Sequence, residues 1–508
     1  MFVLSRLRRP VVTGVFGFVL VVALAPPIVG AATTQISSDP FTQATCAASN
    51  TTNHQTEVEP DTFSNGSTIV ATFQVGRIFD GGACAIGFAT SINNGASWTS
   101  GLLPGITKWT PPPIAPAAGS NDRASDPSVA YDAKHNVWLI SSLTLLEAGG
   151  VRGNAVVTSR STDGGLNWSN PVTTATGGDP DKNWIVCDNT ATSHFYGNCY
   201  TQWDDFSAGN LLQMSTSTDG GLTWGAPKTN NTGVIGGQPV VRPDGTVIVP
   251  IDNANETAIG AFHSNDGGQS WSAVTTIATI RHHSPAGNLR EGPLPSAEID
   301  GAGTVYVAWS DCRFRRGCRT NDIVVSHSLN STGTSWSPVT RVPIDATNSG
   351  IDHFIPGLAV NKATSGNTAQ LGLTYYFYPS GSTQLSVGFI SSNNGGSTWS
   401  SPQTLASGMP TTWLATTNQG RMVGDYISTS YGADNLAHGV FATASAPTSG
   451  TSCSSTPDNC REPMSTFVSG LAAGSASSAA DPVLFGGLGG PNANSLWNVV
   501  DNNGIRHR

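Results

Sequence analysis

The sequence predicts an all-β fold made of repeated antiparallel units, and three observations carry that prediction. Glycine (58) and proline (31) are abundant and spread along the 508 residues, whereas charged residues make up only 11%. Short apolar runs are punctuated by Gly, Asn, Asp and Ser, the pattern of short strands joined by tight turns, and no long stretch has helical periodicity. One turn motif recurs six times, and such recurrence marks an array of like units.

The first residues read as a targeting segment. Arg6, Arg8 and Arg9 form a basic region, Val11 to Ala25 is apolar and uncharged, and Pro26 and Pro27 break it. Val29-Gly30-Ala31 then offers small residues for cleavage, so residues 1–31 are expected to be a signal peptide and the chain to be extracellular. The alternative is an uncleaved N-terminal anchor, against which the two prolines count. No other segment is long and apolar enough to cross a bilayer.

Export agrees with the eight cysteines, all of which lie beyond the leader in an even number that favours disulfides. No CxxC spacing is present, so no zinc site is expected. Without the three leader arginines the 24 basic residues become 21, against 33 acidic ones, a net charge of −12. That surface would repel nucleic acid.

The recurrent motif begins as Ser91-Ile-Asn93-Asn-Gly95-Ala-Ser97-Trp98. Further copies run from Ser161 to Trp168, Ser217 to Trp224, Ser264 to Trp271, Ser328 to Trp336 (one residue longer) and Ser392 to Trp399. The Asp or Asn side chain can cap N–H groups of its own turn, the glycine can take positive φ, and the tryptophan can fold back between strands. The motif is therefore read as structural, with no catalytic role for its acidic residue.

Six copies at intervals of 47 to 70 residues resemble the Asp-box, or bacterial neuraminidase repeat, over roughly residues 54 to 445. The resemblance implies a β-propeller of four-stranded antiparallel blades, with each box joining the third and fourth strands. A second repeat, proline followed five positions later by an acidic or amide residue, marks the inner strands. It appears as Pro60/Asn65, Pro127/Asp132, Pro239/Asp244, Pro295/Asp300 and Pro356/Asn361, with Trp184/Asn189 in the same spacing and a looser start at Tyr426. Seven inner strands favour seven blades over six. The expected organisation is a signal peptide (1–31), an N-terminal segment (32–53), the propeller (54–450) and a Gly/Ala/Ser-rich tail (451–508). The last blade is completed from either terminus.

Hairpin geometry pairs the cysteines. Cys187 and Cys199 lie on neighbouring strands, Cys312 and Cys318 close one loop, and Cys453 and Cys460 close another. Cys46 and Cys84 are left to staple the N-terminal segment to the first blade.

In an antiparallel blade the first-to-second and third-to-fourth turns share one face. Function is therefore expected on the other face, among second-to-third loops and blade connections. Residues just before the inner strands should ring the channel mouth there: Glu59, Asp126, Asn183, Gln238, Leu294, Ile355 and Asp425. Their carboxylates and amides could hold a cation, calcium being possible, or bind sugar hydroxyls. The loop Cys312-Arg313-Phe-Arg315-Arg316-Gly-Cys318-Arg319 is a dense cationic cluster suited to carboxylate or sulfate. Arg290 with Glu291, Arg421 with Asp425 and Tyr426, and Arg77 with Asp80 complete the candidates. His282 and His283 are too isolated for a metal site, and HExxH, G-x-S-x-G and Walker motifs are absent.

Sialidases carry Asp-boxes and are retaining glycosidases with a tyrosine nucleophile. The resemblance implies Tyr426, Asp425 and Glu291 as candidate catalytic residues. It implies Arg313, Arg315, Arg421, Arg290, Arg77, Glu59 and Asp126 as candidate substrate-binding residues. The family's Arg-Ile-Pro motif is missing; Arg77-Ile78-Phe79 is a poor imitation. Two classes of function follow: an exo-sialidase-type glycoside hydrolase, or a non-catalytic propeller that binds glycan or protein.

Overall fold

Val-, Ile- and Thr-rich segments bounded by Gly, Asn and Asp form the strands, and each hairpin hands the chain to the next. The computed structural model describes residues 33–454 and 458–474. The expected signal peptide and the residues from 475 onward lie outside them. No helix among the described residues is long and apolar enough to cross a membrane.

The fold is a β-propeller of antiparallel blades; with the eight-stranded sheet read as two, seven sheets succeed one another, and a separate two-stranded sheet, Ala415–Thr417 with Gly420–Met422, stands apart from them. The first contains Glu57–Asn65, Thr68–Arg77, Ala83–Ser91 and Thr99–Leu102; the second, Arg123–Asp132, Val137–Leu146, Arg152–Ser161 and Val172–Thr176. A single bridge, Ala83 to Ala124, connects those two. The third sheet has Pro180–Cys187, Cys199–Asp205 and Leu211–Ser217, with isolated bridges from Lys228 and Gly233 in its outer position. The fourth pairs Val234–Gly237 and Val240–Val241 with Val247–Asn253, followed by Ala258–Ser264 and Thr275–Thr279. The fifth comprises Ser296–Ile299, Val305–Asp311, Asp322–His327 and Thr340–Arg341. The sixth comprises Asp352–Val360, Leu371–Tyr378, Gln384–Ser392 and Gln403–Pro410.

The seventh sheet draws on both ends of the chain. Ser428–Tyr431 and Leu436–Ala442 pair with Met464–Phe467, and Thr33–Gln35 adds the outer strand. These outer strands fall beyond the 54–450 boundary expected for the propeller, because an N-terminal strand supplies what the last unit lacks. The first strands of the seven sheets touch one another in succession, and Ser428–Tyr431 touches Glu57–Asn65.

Side chains on these first strands fasten one sheet to the next. Asp61 Oδ2 accepts from Val129 N (2.8 Å) and Ser128 Oγ from Ile185 N (2.7 Å). Gln238 Oε1 accepts from Ala297 N (2.8 Å) and Ser296 Oγ from Leu358 N (2.9 Å). Thr429 Oγ1 donates to Gly357 O (2.9 Å), and Thr62 Oγ1 lies 2.8 Å from Ser428 Oγ.

The boxes fasten the rim. In the second, Ser161 Oγ donates to Asp163 Oδ1 (2.8 Å), Asp163 Oδ1 accepts from Asn167 N (2.9 Å), and Trp168 Nε1 donates to Gly165 O (3.1 Å). Gly165 has φ +83°, and a Cβ there would lie 2.7 Å from Val70 of the first sheet. The turn is thus pressed against the neighbouring sheet, where only glycine fits. Trp168 and Trp399 are buried, but Trp224 is only half-buried and its Nε1 has no partner. The boxes share a backbone but differ in how much neighbouring sheet covers the ring.

Four disulfides join Cys46–Cys84, Cys187–Cys199, Cys312–Cys318 and Cys453–Cys460. Cys187 and Cys199 are direct cross-strand partners.

Trp168→Ala should destabilise the protein by about 3–5 kcal/mol, the cost of truncating a buried aromatic. Trp224→Ala should cost clearly less. Chemical denaturation of the two variants checks the order.

Candidate functional site

Most of the first strands are broken near the channel by a β-bulge. The register slips at Glu59-Pro60, Asp126-Pro127, Lys182-Asn183, Gly236 and Ile355-Pro356. The leading residue is left-handed each time: φ is 58° at Glu59, 48° at Asp126, 49° at Lys182, 62° at Gly236 and 50° at Ile355. A bulge leaves one residue outside the ladder, so a proline, which has no N–H to give, is tolerated next to it.

In the third sheet Asn183 takes the place of proline, one residue ahead of Trp184. The expected ring position Asn183 therefore gives way to Lys182, and in the fourth sheet Gln238 gives way to Gly236. Lys182 is the side chain at the mouth that the proline spacing missed. Aligning the bulge one residue earlier would have found it.

At the mouth, charges of both signs are buried together. Asp425, at the start of the seventh sheet, accepts from Arg290 Nε at 2.7 Å and also from Arg290 Nη2 and from Lys182 Nζ. Glu59 Oε1 accepts from Asp425 N (3.3 Å) and lies 4.0 Å from Lys182 Nζ, and its other oxygen accepts from Gln74. Asp126 accepts from Ser125 Oγ (2.5 Å) and from Lys182 N (3.1 Å). Glu59 is 1% exposed, Lys182 6% and Asp425 8%. The ring carboxylates face protein donors, the Lys182 ammonium among them.

Arg290 reaches Asp425 from the connection between the fourth and fifth sheets. That connection is clamped by Arg290 N donating to Arg421 O (2.6 Å) and Arg421 N to Asn288 O (2.6 Å). Arg421 thus contributes through its backbone; its guanidinium bonds Leu414 O (3.1 Å) and Thr416 Oγ1 (2.6 Å).

Other expected site residues are engaged elsewhere. Tyr426 donates its hydroxyl to Pro127 O (3.2 Å) and packs edge-on against Trp184, ring centroids 5.0 Å apart. Glu291 turns away from the mouth, holding His282 Nε2 (2.6 Å) and Ser310 Oγ (2.7 Å). Arg313 grips Asp311 through Nε (2.9 Å) and Nη2 (2.7 Å), and Arg315 grips Asp322 (2.9 Å) and Asp345 (2.6 Å). Arg77 ends its strand rather than sitting in a loop. It is buried, with Nη1 on Gln74 Oε1 (3.2 Å) and Gly82 O (3.0 Å).

Two openings meet at Trp184. On the loop face a cavity of about 30 Å³ is lined by Lys182, Trp184, Leu294 and Tyr426. On the box face one of about 250 Å³ is lined by Asp61, Phe63, Trp184, Glu298 and Lys362.

The environment drives the carboxyls apart. Burial, reinforced by Asp126 and Asp425, pushes Glu59 up to about 8. Burial also raises Asp425, but Arg290 and Lys182 outweigh it and hold that carboxyl well below its usual value. Burial raises Asp61 to about 8 and, with Asp126, Asp181 to about 7. The Tyr426 hydroxyl is pushed well up by burial and by Glu59 and Asp126, so it stays protonated.

A family model described as BNR repeat-like domain matches residues 155–411. Among solved structures, the chain is similar to a protein of unknown function from Dyadobacter fermentans (15% identity, TM-score 0.44, covering 71% of this chain and 98% of that one). It is also similar to the Hadza microbial sialidase Hz136 (18%, 0.42, 63% and 64%). A third is the Penicillium chrysogenum α-L-arabinanase complexed with arabinobiose (12%, 0.43, 86% and 98%). No curated protein matches the sequence.

Carboxyls raised in the fold bind protons that the unfolded chain has already released. Their contribution to stability is complete below about 4, the unfolded carboxyl value, and is lost as pH rises through 7–8. Asp425 acts in the opposite sense and loses its contribution only as pH falls below its unfolded value of 3.8. Thermal melts should therefore give a higher Tm at pH 5 than at pH 9. Asp425→Asn should cost about 3–5 kcal/mol by leaving Arg290 and Lys182 buried without an anion, measured as a shift in denaturation midpoint.

Proposed function

The chain belongs to the BNR repeat-like domain family, and from that premise we propose that it is a secreted, glycan-active propeller of the glycoside-hydrolase type. In this reading Glu59 and Asp425 carry the chemistry at the channel mouth. One observation supports it above the rest: two carboxyls gathered round the same ammonium are held in opposite protonation states. Glu59, raised to about 8, keeps a proton at neutral pH and acts as the general acid on the leaving oxygen. Asp425, ionised by Arg290 and Lys182, faces the positive charge that develops on the sugar ring.

The exo-sialidase form of the reading calls for an activated tyrosine and guanidinium groups free to take a substrate carboxylate. Tyr426 donates to a backbone carbonyl, and Arg290 already holds Asp425. The carboxylate pair therefore supports the proposal better than a tyrosine nucleophile does. The low exposure of Glu59 and Asp425 is what favours the second reading, a propeller that binds glycan without cleaving it.

Chromogenic neutral, uronate and sialyl glycosides, assayed with the secreted chain, separate these readings. Glu59→Gln should lower turnover by about 10²-fold or more, as removal of a general acid does, and wild-type activity should fall above pH 8 as Glu59 loses its proton. Tyr426→Phe should keep most of its turnover. A tyrosine variant without turnover beside an active Glu59→Gln would support the sialidase form, and a wild-type protein inert on every glycoside would support the binding propeller.

A further inference from the structure

The arginine-rich loop between the second and third strands of the fifth sheet divides its guanidinium groups by function. Arg313 and Arg315 are internal struts. Arg313 lies on Asp311, which also accepts from Trp309 Nε1 (3.2 Å), and its guanidinium carbon sits 5.9 Å above the Trp309 ring. Arg315 is buried between Asp322 and Asp345, where Arg341 joins it. Asp311, Asp322 and Asp345, the acidic neighbours of the loop, are thereby taken. The Cys312–Cys318 disulfide closes the loop over a Cα separation of 4.9 Å, so it is short and fixed.

The remaining cations face solvent. Arg316 and Arg319 are exposed, as is Arg281, whose backbone is pinned to the loop base by Cys312 N donating to Arg281 O (2.7 Å). Arg281 N donates to Asp311 (3.2 Å), but among the described residues no guanidinium of the three has a carboxylate partner, unlike those of Arg313 and Arg315. Phe314, between the struts, is 38% exposed, one of few large apolar side chains left in water. Two exposed arginines, one within a short disulfide-closed loop and one directly after it, with a third at its base and an aromatic ring beside them in sequence, stand out on a chain with formal net charge −9. That local excess of positive charge on an acidic chain is complementary to an anion supplied from outside.

We propose that Arg281, Arg316 and Arg319, with Phe314, form a docking surface for a carboxylate-bearing polysaccharide, a chain of uronate units crossing the loop face. Guanidinium and carboxylate are both planar and pair through two parallel hydrogen bonds, which a lysine ammonium cannot match. A phenyl ring suits the apolar face of a sugar between charged units. The surface lies outside the buried channel mouth, so it grips the polymer rather than the bond to be cleaved. The inference rests on the glycan-active reading for the nature of its ligand and deepens it by naming the substrate class.

Affinity electrophoresis of the full secreted chain in gels containing polygalacturonate, dextran sulfate or dextran tests the surface. Polygalacturonate should retard the wild type more than dextran sulfate does, and dextran should not retard it. Arg281→Ser/Arg316→Ser/Arg319→Ser should weaken binding at least tenfold with an unchanged melting temperature, while Arg152→Ser, an exposed arginine elsewhere, should bind normally. Arg316→Lys/Arg319→Lys should bind more weakly than wild type, which a merely electrostatic surface would not show. Retardation of a wild-type protein that turns over none of the glycosides leaves the surface standing and removes the hydrolase reading. Turnover of a neutral glycan without retardation does the reverse. Undiminished binding by the triple serine variant, or equal retardation by dextran sulfate, overturns the proposal.

Discussion

A strand at the wall of a channel has one edge with no strand beside it, and the backbone N–H groups on that edge still need acceptors. Here those acceptors come from the adjoining sheet: Asp61, Ser128, Gln238 and Ser296 each take an N–H from the next first strand. Three of the four follow the inner-strand proline directly. Satisfying the edge and joining the sheets are thus one act, and the ring has no need of a continuous hydrogen-bonded sheet. Buried polar groups in this position also fix the angle between neighbours, since a slip of one residue would leave both donor and acceptor buried and alone.

The same strands must bend as they approach the loop face, and the bulges provide that bend. Each bulge turns one side chain out of the ladder, and in the first three sheets the displaced residues are Glu59, Asp126 and Lys182. Charge accumulates at the mouth because the backbone geometry delivers these side chains to one place. Burying a charge is expensive unless it is paired. Arg290 and Lys182 on Asp425 meet that requirement, one from the connection before the fifth sheet and the other from the third sheet. The cluster therefore couples the seventh sheet, completed by the chain termini, to the third sheet and to the connection before the fifth.

This arrangement distinguishes the channel mouth from the arginine loop. At the mouth, opposite charges neutralise one another in a buried environment that pushes the Glu59 carboxyl up and holds that of Asp425 down. On the loop, inner arginines are neutralised while outer ones remain open to water. The first pattern suits proton transfer, and the second suits recognition of an extended anion.

Much of the fold was legible because its determinants are local. The box needs Ser, Asp or Asn, Gly and Trp within one turn, and the inner strand needs a proline beside its bulge, so both repeats are written in short segments. Hairpin proximity likewise made the cysteine pairs readable. The sequence by itself determined the strands, the repeats and the face shared by the boxes. It did not determine which cations face which anions. Arg313, Arg315 and Arg421 looked equivalent to Arg290, yet only Arg290 reaches Asp425. Lys182 was hidden by an asparagine in place of proline. The coverage of each box tryptophan depends on the neighbouring sheet, which separates buried Trp168 from half-exposed Trp224. The meeting of Arg290 and Lys182 with Asp425 belongs to tertiary structure alone, because they lie 135 and 243 residues from it and reach it only when the sheets are brought round the channel.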